Sequence, residues 1–229
     1  MMAGTGMVAL AAAAFVGSHF LLSHPLRAPF VARLGERGFL GVYSLVTFAT
    51  LGWLAEAYRH SPPETPLWPT GDALWVLASV IMLLAGILFL GSLIRNPALP
   101  GMPATAPEPR GVFTWTRHPM LWSFALWALA HALVWPILAN FVLVTAIAIL
   151  ALVGAALQDA KKATLQPATW PVWERRTSYW PFAAIAAGRT PFRLPGVPPL
   201  LLAVVLWLAI TWAHLPLAGV PAGVWRWIG

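Results

Sequence analysis

Cysteine is missing from this chain of 229 residues. Its absence excludes disulfide bonds, thiolate ligands for metal ions and a cysteine nucleophile, and it removes redox chemistry as a guide to the compartment. Tight binding of a transition metal must therefore depend on histidine, of which the chain has six.

Charged residues are also scarce. Only 9% of the residues are Asp, Glu, Lys or Arg, 59% are apolar, and the mean hydropathy is +0.75. Soluble globular domains carry about 25% charged residues. The composition therefore excludes an ordinary soluble domain and predicts an integral membrane protein.

Acidic residues are fewer than basic ones, seven against fourteen, and the formal net charge is +7. The basic residues stand in short tracts beside apolar segments and form no continuous stripe of the kind that binds nucleic acid. We therefore predict the lipid bilayer, with its anionic headgroups, as the partner of these charges, and no nucleic acid.

Long apolar segments follow one another along the whole chain. A bilayer core about 30 Å thick needs about 20 apolar residues in a helix. The segments of that kind, bounded by charge, proline or tryptophan, are 3–22, 39–57, 72–93, 119–136, 139–157 and 197–215. We predict an all-α fold, a polytopic integral membrane helical bundle of about six transmembrane helices, in a single domain over 1–229.

The fourth and fifth segments are joined by a very short turn from Pro136 to Asn140, which predicts a tight helical hairpin. The first segment is expected to remain as a span, because no basic region precedes it and no polar mature domain follows it. The proline-rich stretch 96–109 predicts an irregular loop. Residues 158–194, rich in tryptophan and charge, predict an interfacial segment.

The distribution of basic residues predicts the orientation. Twelve lie in alternate loops after the first, third and fifth segments, and only Arg59 and Arg226 lie on the other side. Because basic loops stay in the cytoplasm, we predict an inner (cytoplasmic) membrane protein with both termini extracytoplasmic.

Two histidines lie inside apolar segments, His19 in the first and His131 in the fourth. Helical spacing places Trp127, His131 and Trp135 on one stripe, which suits a flat cofactor and is equally typical of ordinary helix packing. Measured from the flanking arginines, each histidine lies roughly 12 to 21 Å along its own helix, so the two depths differ by no more than one or two helical turns. His118 points about 140° away from His131. A haem with two axial imidazoles fits such a pair better than zinc, which needs more ligands.

Three stretches together carry a resemblance to a known family. TRHPMLWSFALWALAHALVWP, GSHFLLSHPLRAPFVARLGERGFLGVYSL and RRTSYWPFAAIAAGR resemble the NnrU family of bacterial membrane proteins, which includes 15-cis-zeta-carotene isomerase. The resemblance implies haem b held by His19 and His131. One implied function is a link to nitrite and nitric oxide metabolism, with a respiratory or denitrification complex as partner. The other is cis-trans isomerisation of a polyene, in which case the partner is an apolar small molecule.

The triplet Arg117, His118 and Pro119 leaves a second reading open. It also resembles the S-adenosylmethionine site of isoprenylcysteine and phospholipid methyltransferases, with Asp159 and Glu174 as acidic partners. The absence of an aromatic residue after the proline and of a downstream carboxylate pair departs from that pattern. The plain alternative is that Arg117 anchors at the interface and the proline starts a helix.

Arg176, with its neighbour Arg175, is a candidate for binding an anion such as a haem propionate or a phosphate headgroup, because guanidinium groups match these oxygens. Such bases also serve simply to hold the topology in the headgroups. A third functional reading is a non-enzymatic assembly or regulatory factor for a membrane complex.

Overall fold

The computed structural model describes residues 2–98 and 108–228, with side chains from residue 4 onward. The described chain is helical and contains no strand. Its helices are α1 (Met2–Ser23), α2 (Arg27–Arg59), α3 (Asp72–Ser92), α4 (Pro119–Val134), α5 (Leu138–Leu165), α6 (Trp170–Arg176), α7 (Ala183–Ala186), α8 (Val197–Ala218) and α9 (Trp225–Ile228). A short 3₁₀ helix, Gly111–Thr114, precedes α4.

The all-α membrane fold is confirmed. Five helices, α1, α2, α3, α5 and α8, are long and apolar enough to cross a bilayer. The remaining predicted span is α4, an apolar helix of 16 residues. It rises about 24 Å, somewhat less than the hydrocarbon core, so the polar residues before Pro119 lie close to the membrane boundary.

Proline marks the beginnings of several helices. Pro119 is the first residue of α4, and α6 and α8 carry proline in their first turn, where a missing backbone N–H leaves no hydrogen bond unmade. At the other end of α8, Gly219 adopts a left-handed conformation (φ 73°), and its N–H bonds the carbonyl of Leu215.

The chain divides into two compact units. Unit 1 comprises Met1–Pro69 and His131–Leu150, and unit 2 comprises Thr70–Ala130 and Ala151–Gly229. In unit 1, α1 packs along α2. Its buried core joins residues of α1, α2 and the first half of α5, namely Val8, Ala11, Ala12, Phe15, Leu54, Ala139 and Ala146.

In unit 2, α3 packs against α8 and against the 3₁₀ helix. The core of unit 2 contains Leu88 of α3, three residues around the 3₁₀ helix and two tryptophans of α6. Trp170 and Trp173 are only 1% and 2% exposed. These two rings therefore pack inside the protein, whereas Trp180, at 62% exposed, is free to contact its surroundings.

Two helices extend beyond the predicted spans. α2 begins at Arg27 rather than at 39, and it is interrupted at Gly35, whose backbone (φ 70°, ψ 171°) is not helical. The predicted span therefore corresponds to the part after this kink. α5 continues to Leu165 rather than ending at 157. Charged residues such as Asp159 and Lys161 end the apolar run. The helix continues through them, because these residues are compatible with helical structure.

The predicted short connection between the fourth and fifth segments is present, since only residues 135–137 separate α4 from α5. The side chain of Asn140 caps this turn, donating to the carbonyls of Trp135 and His131 at 2.7 and 3.0 Å. Within the predicted interfacial segment 158–194, residues 183–186 form the four-residue helix α7. Within the predicted irregular loop 96–109, residues 99–107 lie outside the described ones.

Candidate functional site

The most strongly connected polar group in unit 2 is an ion-pair cluster formed by Arg117, His118 and Asp159. The Arg117 Nε and Nη2 donate to the two carboxylate oxygens of Asp159 at 2.7–3.1 Å. The His118 Nε2 lies 2.8 Å from Asp159 Oδ1. The three side chains are 9%, 1% and 14% exposed. One carboxylate of α5 thus binds both residues that precede α4.

Backbone contacts hold the Arg117 segment in place. The N–H of Arg117 donates to the carbonyl of Ser178 at 2.7 Å. The hydroxyl of Thr116 donates to the carbonyl of Tyr179 at 2.9 Å and approaches the His118 N–H. The chain before α4 and the chain after α6 are therefore joined directly, which fixes the positions of the guanidinium and the imidazole.

Aromatic rings surround the His118 imidazole. The ring centroids of Tyr179 and Trp170 lie 6.0 and 6.5 Å from it. The Trp122 indole N–H donates to the Tyr179 carbonyl at 2.9 Å. Burial, followed by the negative charge of Asp159, raises the pKa of the Tyr179 phenol above its ordinary 10.0. The phenol is therefore neutral at physiological pH, and it donates to the Leu152 carbonyl at 2.8 Å.

A second carboxylate lies at the edge of the ion-pair cluster. Glu174 Oε1 is 3.9 Å from Arg117 Nη2, and its side chain is 36% exposed. The structure thus brings Asp159 and Glu174 together at Arg117, although their spacing in the sequence does not form a recognisable pair. The hydrogen bonds to Asp159 occupy His118 Nε2 and two of the three guanidinium nitrogens. Neither Arg117 nor His118 lines any of the described cavities.

In unit 1, His19 is held by its own helix and by α2. Its Nδ1 lies 2.7 Å from the carbonyl oxygen of Phe15. Because a carbonyl only accepts, the proton resides on Nδ1 and the neutral ring keeps a lone pair on Nε2. That Nε2 is 3.4 Å from Thr47 Oγ1, and the rings of Phe15 and Tyr43 pack edge-on at 4.5 and 5.5 Å.

The depth of His19 follows from contacts at the far end of α1. Thr5 donates its hydroxyl hydrogen to Glu64 Oε1 at 2.8 Å, and the backbone N–H of Ala139 donates to Glu64 Oε2 at 3.2 Å. The start of α5 is therefore level with Thr5. His19 lies fourteen residues further along α1, which is about 21 Å at 1.5 Å per residue.

His131 lies near that far end. Its carbonyl accepts from Asn140, the residue after Ala139, so its backbone is about one helical turn from the start of α5. From these contacts, the backbones of the two histidines differ in depth by roughly 15 Å. The sequence predicts a difference of one or two turns, measured from the flanking arginines.

The family described as NnrU protein matches residues 7–222, nearly the whole chain. The chain belongs to the NnrU family. No match was found among curated proteins. No match was found among solved structures.

The haem that the NnrU resemblance implies can be tested against these residues. Two imidazoles on one iron hold their ring nitrogens about 4 Å apart, at about 2 Å from the metal each. The pairing of His19 and His131 on one iron stays a prediction. His19 fits a metal ligand in one respect, because the Phe15 carbonyl fixes the tautomer with the lone pair on Nε2, which faces the Thr47 hydroxyl at 3.4 Å.

The other predicted site residues lie in separate places in this NnrU-family chain. Trp127 lies within α4, whereas Trp135 lies one residue past its end and is 44% exposed, so the expected stripe is helical only as far as Val134. Arg176 is exposed at the end of α6.

The sequence named Asp159 only as an acidic residue of the methyltransferase resemblance, and not as the carboxylate that binds both Arg117 and His118. These two partners lie 42 and 41 residues earlier, and no local spacing relates them. A second signal was its place directly after a span, since a charge close to a membrane is costly unless it is paired.

Proposed function

We propose that this protein binds haem b through His19 as an axial ligand and handles nitrogen oxides in the membrane. The observation that carries the proposal is the 2.7 Å hydrogen bond between His19 Nδ1 and the Phe15 carbonyl. It places the lone pair on Nε2, where a metal would have to displace only the long 3.4 Å hydrogen bond from Thr47, within a membrane helix in which an imidazole without a role is costly.

The surroundings of His19 suit a flat apolar group. Phe15 is buried and Tyr43 lies at ring-contact distance. A cavity of about 710 Å³ follows the same helix, lined by Ala12, Val16 and Gly17 of α1 and by residues of α5. This volume is within the range of about 300–1,000 Å³ that ligand pockets have. His19 does not line the cavity and stands less than one turn beyond it.

Ligation by a single histidine has a functional consequence. If His19 were the single protein ligand, a bound haem would supply the binding of a small molecule such as a nitrogen oxide. The rough difference in depth between His19 and His131 supports the nitrogen-oxide branch of the family over an electron-transfer role. In this proposal the chain supplies the imidazole ligand, orients the haem and excludes water from it.

The apolar cavity favours a second candidate, the isomerisation of a polyene. Its lining consists of alanine, valine, leucine, isoleucine, phenylalanine and glycine together with Thr5 and Thr145. Incubation of the reduced, haem-loaded protein with a cis-polyene, followed by chromatography of the isomers, tests it. A trans product that requires the protein supports isomerisation, and an unchanged isomer ratio excludes it.

The haem proposal is tested by absorption spectroscopy of the protein purified in detergent with haem supplied. We expect a Soret band in the parent protein, its loss in His19→Ala, and its retention with unchanged spin state in His131→Ala. His60→Ala is the matched control, because His60 is exposed just past the end of α2. A parent without a Soret band, or a His19→Ala variant that keeps it unaltered, would refute the proposal.

The contacts of the ion-pair cluster give less support to methyl transfer. S-adenosylmethionine needs a free cation for its carboxylate, and the Arg117 guanidinium is already bound by Asp159. A structural role at the junction of α4, α5 and α6 accounts for these contacts. Calorimetric titration with S-adenosylmethionine, showing uptake that His118→Ala abolishes, would restore the methyltransferase reading.

A further inference from the structure

Unit 2 contains a cavity that has no part in the proposed haem site. It has a volume of about 720 Å³ and lies among the end of α3, the 3₁₀ helix and the start of α8. A second cavity of about 540 Å³ adjoins it and shares Glu108, Arg110, Gly111 and Gly196. We call the two together the basic cavity, whose lining includes Ile94, Arg95, Arg110, Trp173, Arg193 and Pro199.

The basic cavity carries an excess of positive charge. Arg95, Arg110 and Arg193 line it, against the single carboxylate of Glu108. None of these three arginines forms an ion pair within residues 2–98 and 108–228. By contrast, Arg117 elsewhere in this unit is paired with a carboxylate. Unpaired guanidinium groups around one cavity select an anion, and phosphate oxygens match their geometry.

The inner wall of the basic cavity is apolar. Trp173 lines the cavity and is 2% exposed. Its indole nitrogen is sealed from solvent, so the ring offers the cavity apolar surface. Ile94, Val112 and Pro199 offer a ligand further hydrocarbon contacts.

The position in the fold identifies the source of the anion. α3 ends at Ser92 and α8 begins at Val197, so the basic cavity lies where two spanning helices emerge from the apolar layer. Phospholipid headgroups occupy this level, and basic pockets between transmembrane helices bind anionic ones. We propose that the basic cavity is a specific site for an anionic phospholipid, with its phosphate at Arg95 and Arg110 and an acyl chain against Ile94 and Pro199.

Native mass spectrometry of the full chain in detergent tests this site. The probes are phosphatidylglycerol and phosphatidylcholine with the same acyl chains. We expect phosphatidylglycerol to bind at least tenfold more tightly. The double variant Arg95→Gln/Arg110→Gln is expected to weaken it by about fivefold for each arginine removed.

The matched control is Arg33→Gln/Arg37→Gln, which removes two exposed arginines of α2 in unit 1 and should leave phosphatidylglycerol binding unchanged. Equal affinity for the two lipids, or an equal loss in the control, would overturn the proposal. Inorganic phosphate is the third probe. If it displaces the lipid at equal concentration, the site is specific for a free anion and the lipid assignment is wrong.

Discussion

Asp159 accepts hydrogen bonds from two different residues, and this arrangement determines its energetic role. Arg117 and His118 both approach one carboxylate that is 14% exposed. Removing such charges from water costs several kcal/mol for each ion, and the cost is recovered only if every partner is present. The ion-pair cluster therefore contributes chiefly by forbidding alternative arrangements of the segments that meet there.

The first prediction concerns the substitution Asp159→Asn. It leaves the Arg117 guanidinium buried without a counter-charge, and losing one partner of such a pair typically costs about 3–5 kcal/mol. We expect a clear fall in the Tm of the detergent-purified protein. Expression in the membrane should fall with it, since a loss of this size is a large part of the stability of a typical domain.

Glu174→Gln is the control for that substitution. Glu174 reaches the same guanidinium only at 3.9 Å and is 36% exposed, so solvent screens its charge and a small change in Tm is expected. If Asp159→Asn were as stable as the parent, or if Glu174→Gln were equally damaging, the ion-pair cluster would not have the structural role that its geometry indicates.

The sequence pointed to Arg117 and His118 for a reason other than their ion pair with Asp159. Arg117 and His118 stood out as a triplet with Pro119, but the triplet shows only that a helix starts there. Which carboxylate binds them depends on how α5 passes the start of α4, and a pairing over 42 residues has no periodic signature. Burial of Trp170 and Trp173 was unpredictable for the same reason, because tryptophan also suits the interface.

Among the elements, α2 has the least regular backbone. Its 33 residues are interrupted at Gly35, where φ is 70° and ψ is 171°. Arg27 and Glu36 form an ion pair at 2.9 Å across this kink. Only glycine adopts such a conformation readily, so the kink depends on the residue type and not on a neighbouring contact, since a Cβ at this position would meet nothing within 4 Å.

We therefore predict that Gly35→Ala lowers stability by about 1–3 kcal/mol, the usual cost of forcing another residue into this region. Gly41→Ala, six residues further along the same helix, is the matched control. Gly41 is helical and equally open, so alanine should be neutral or stabilising by up to about 1 kcal/mol. Thermal unfolding of both variants in the same detergent is the measurement, and similar losses in the two would show that the kink is not set by Gly35.

The apolar lengths of the helices were predictable, and their ends were not. A run of about 20 apolar residues has few alternatives in a membrane, so all six predicted spans correspond to helices. The ends depend on capping and on contacts beyond the bilayer. α5 continues past its apolar run to Leu165, and its extension carries Asp159 to the ion-pair cluster. The charges that suggested an end to the span therefore belong to the site.

At the scale of the whole molecule, basic residues are distributed unevenly between the two predicted sides of the membrane. Twelve basic residues lie in loops on one predicted side and two on the other. Basic residues near the ends of spans resist translocation, so the loops after α1, α3 and α5 are expected in the cytoplasm. The basic cavity at the end of α3 then faces the leaflet that is rich in anionic lipid.

The absence of cysteine makes this orientation directly testable. Thr65→Cys places one thiol in the loop between α2 and α3, and Ala168→Cys places one between α5 and α6, both at exposed positions. An impermeant maleimide should label Thr65→Cys in cells with a permeabilised outer membrane, and Ala168→Cys only after the inner membrane is opened. The parent protein has no thiol and is the blank. The opposite pattern would reverse the topology. Labelling of both thiols in intact spheroplasts would require an even number of spans between the two positions, contrary to the three, α3, α4 and α5, that the topology predicts.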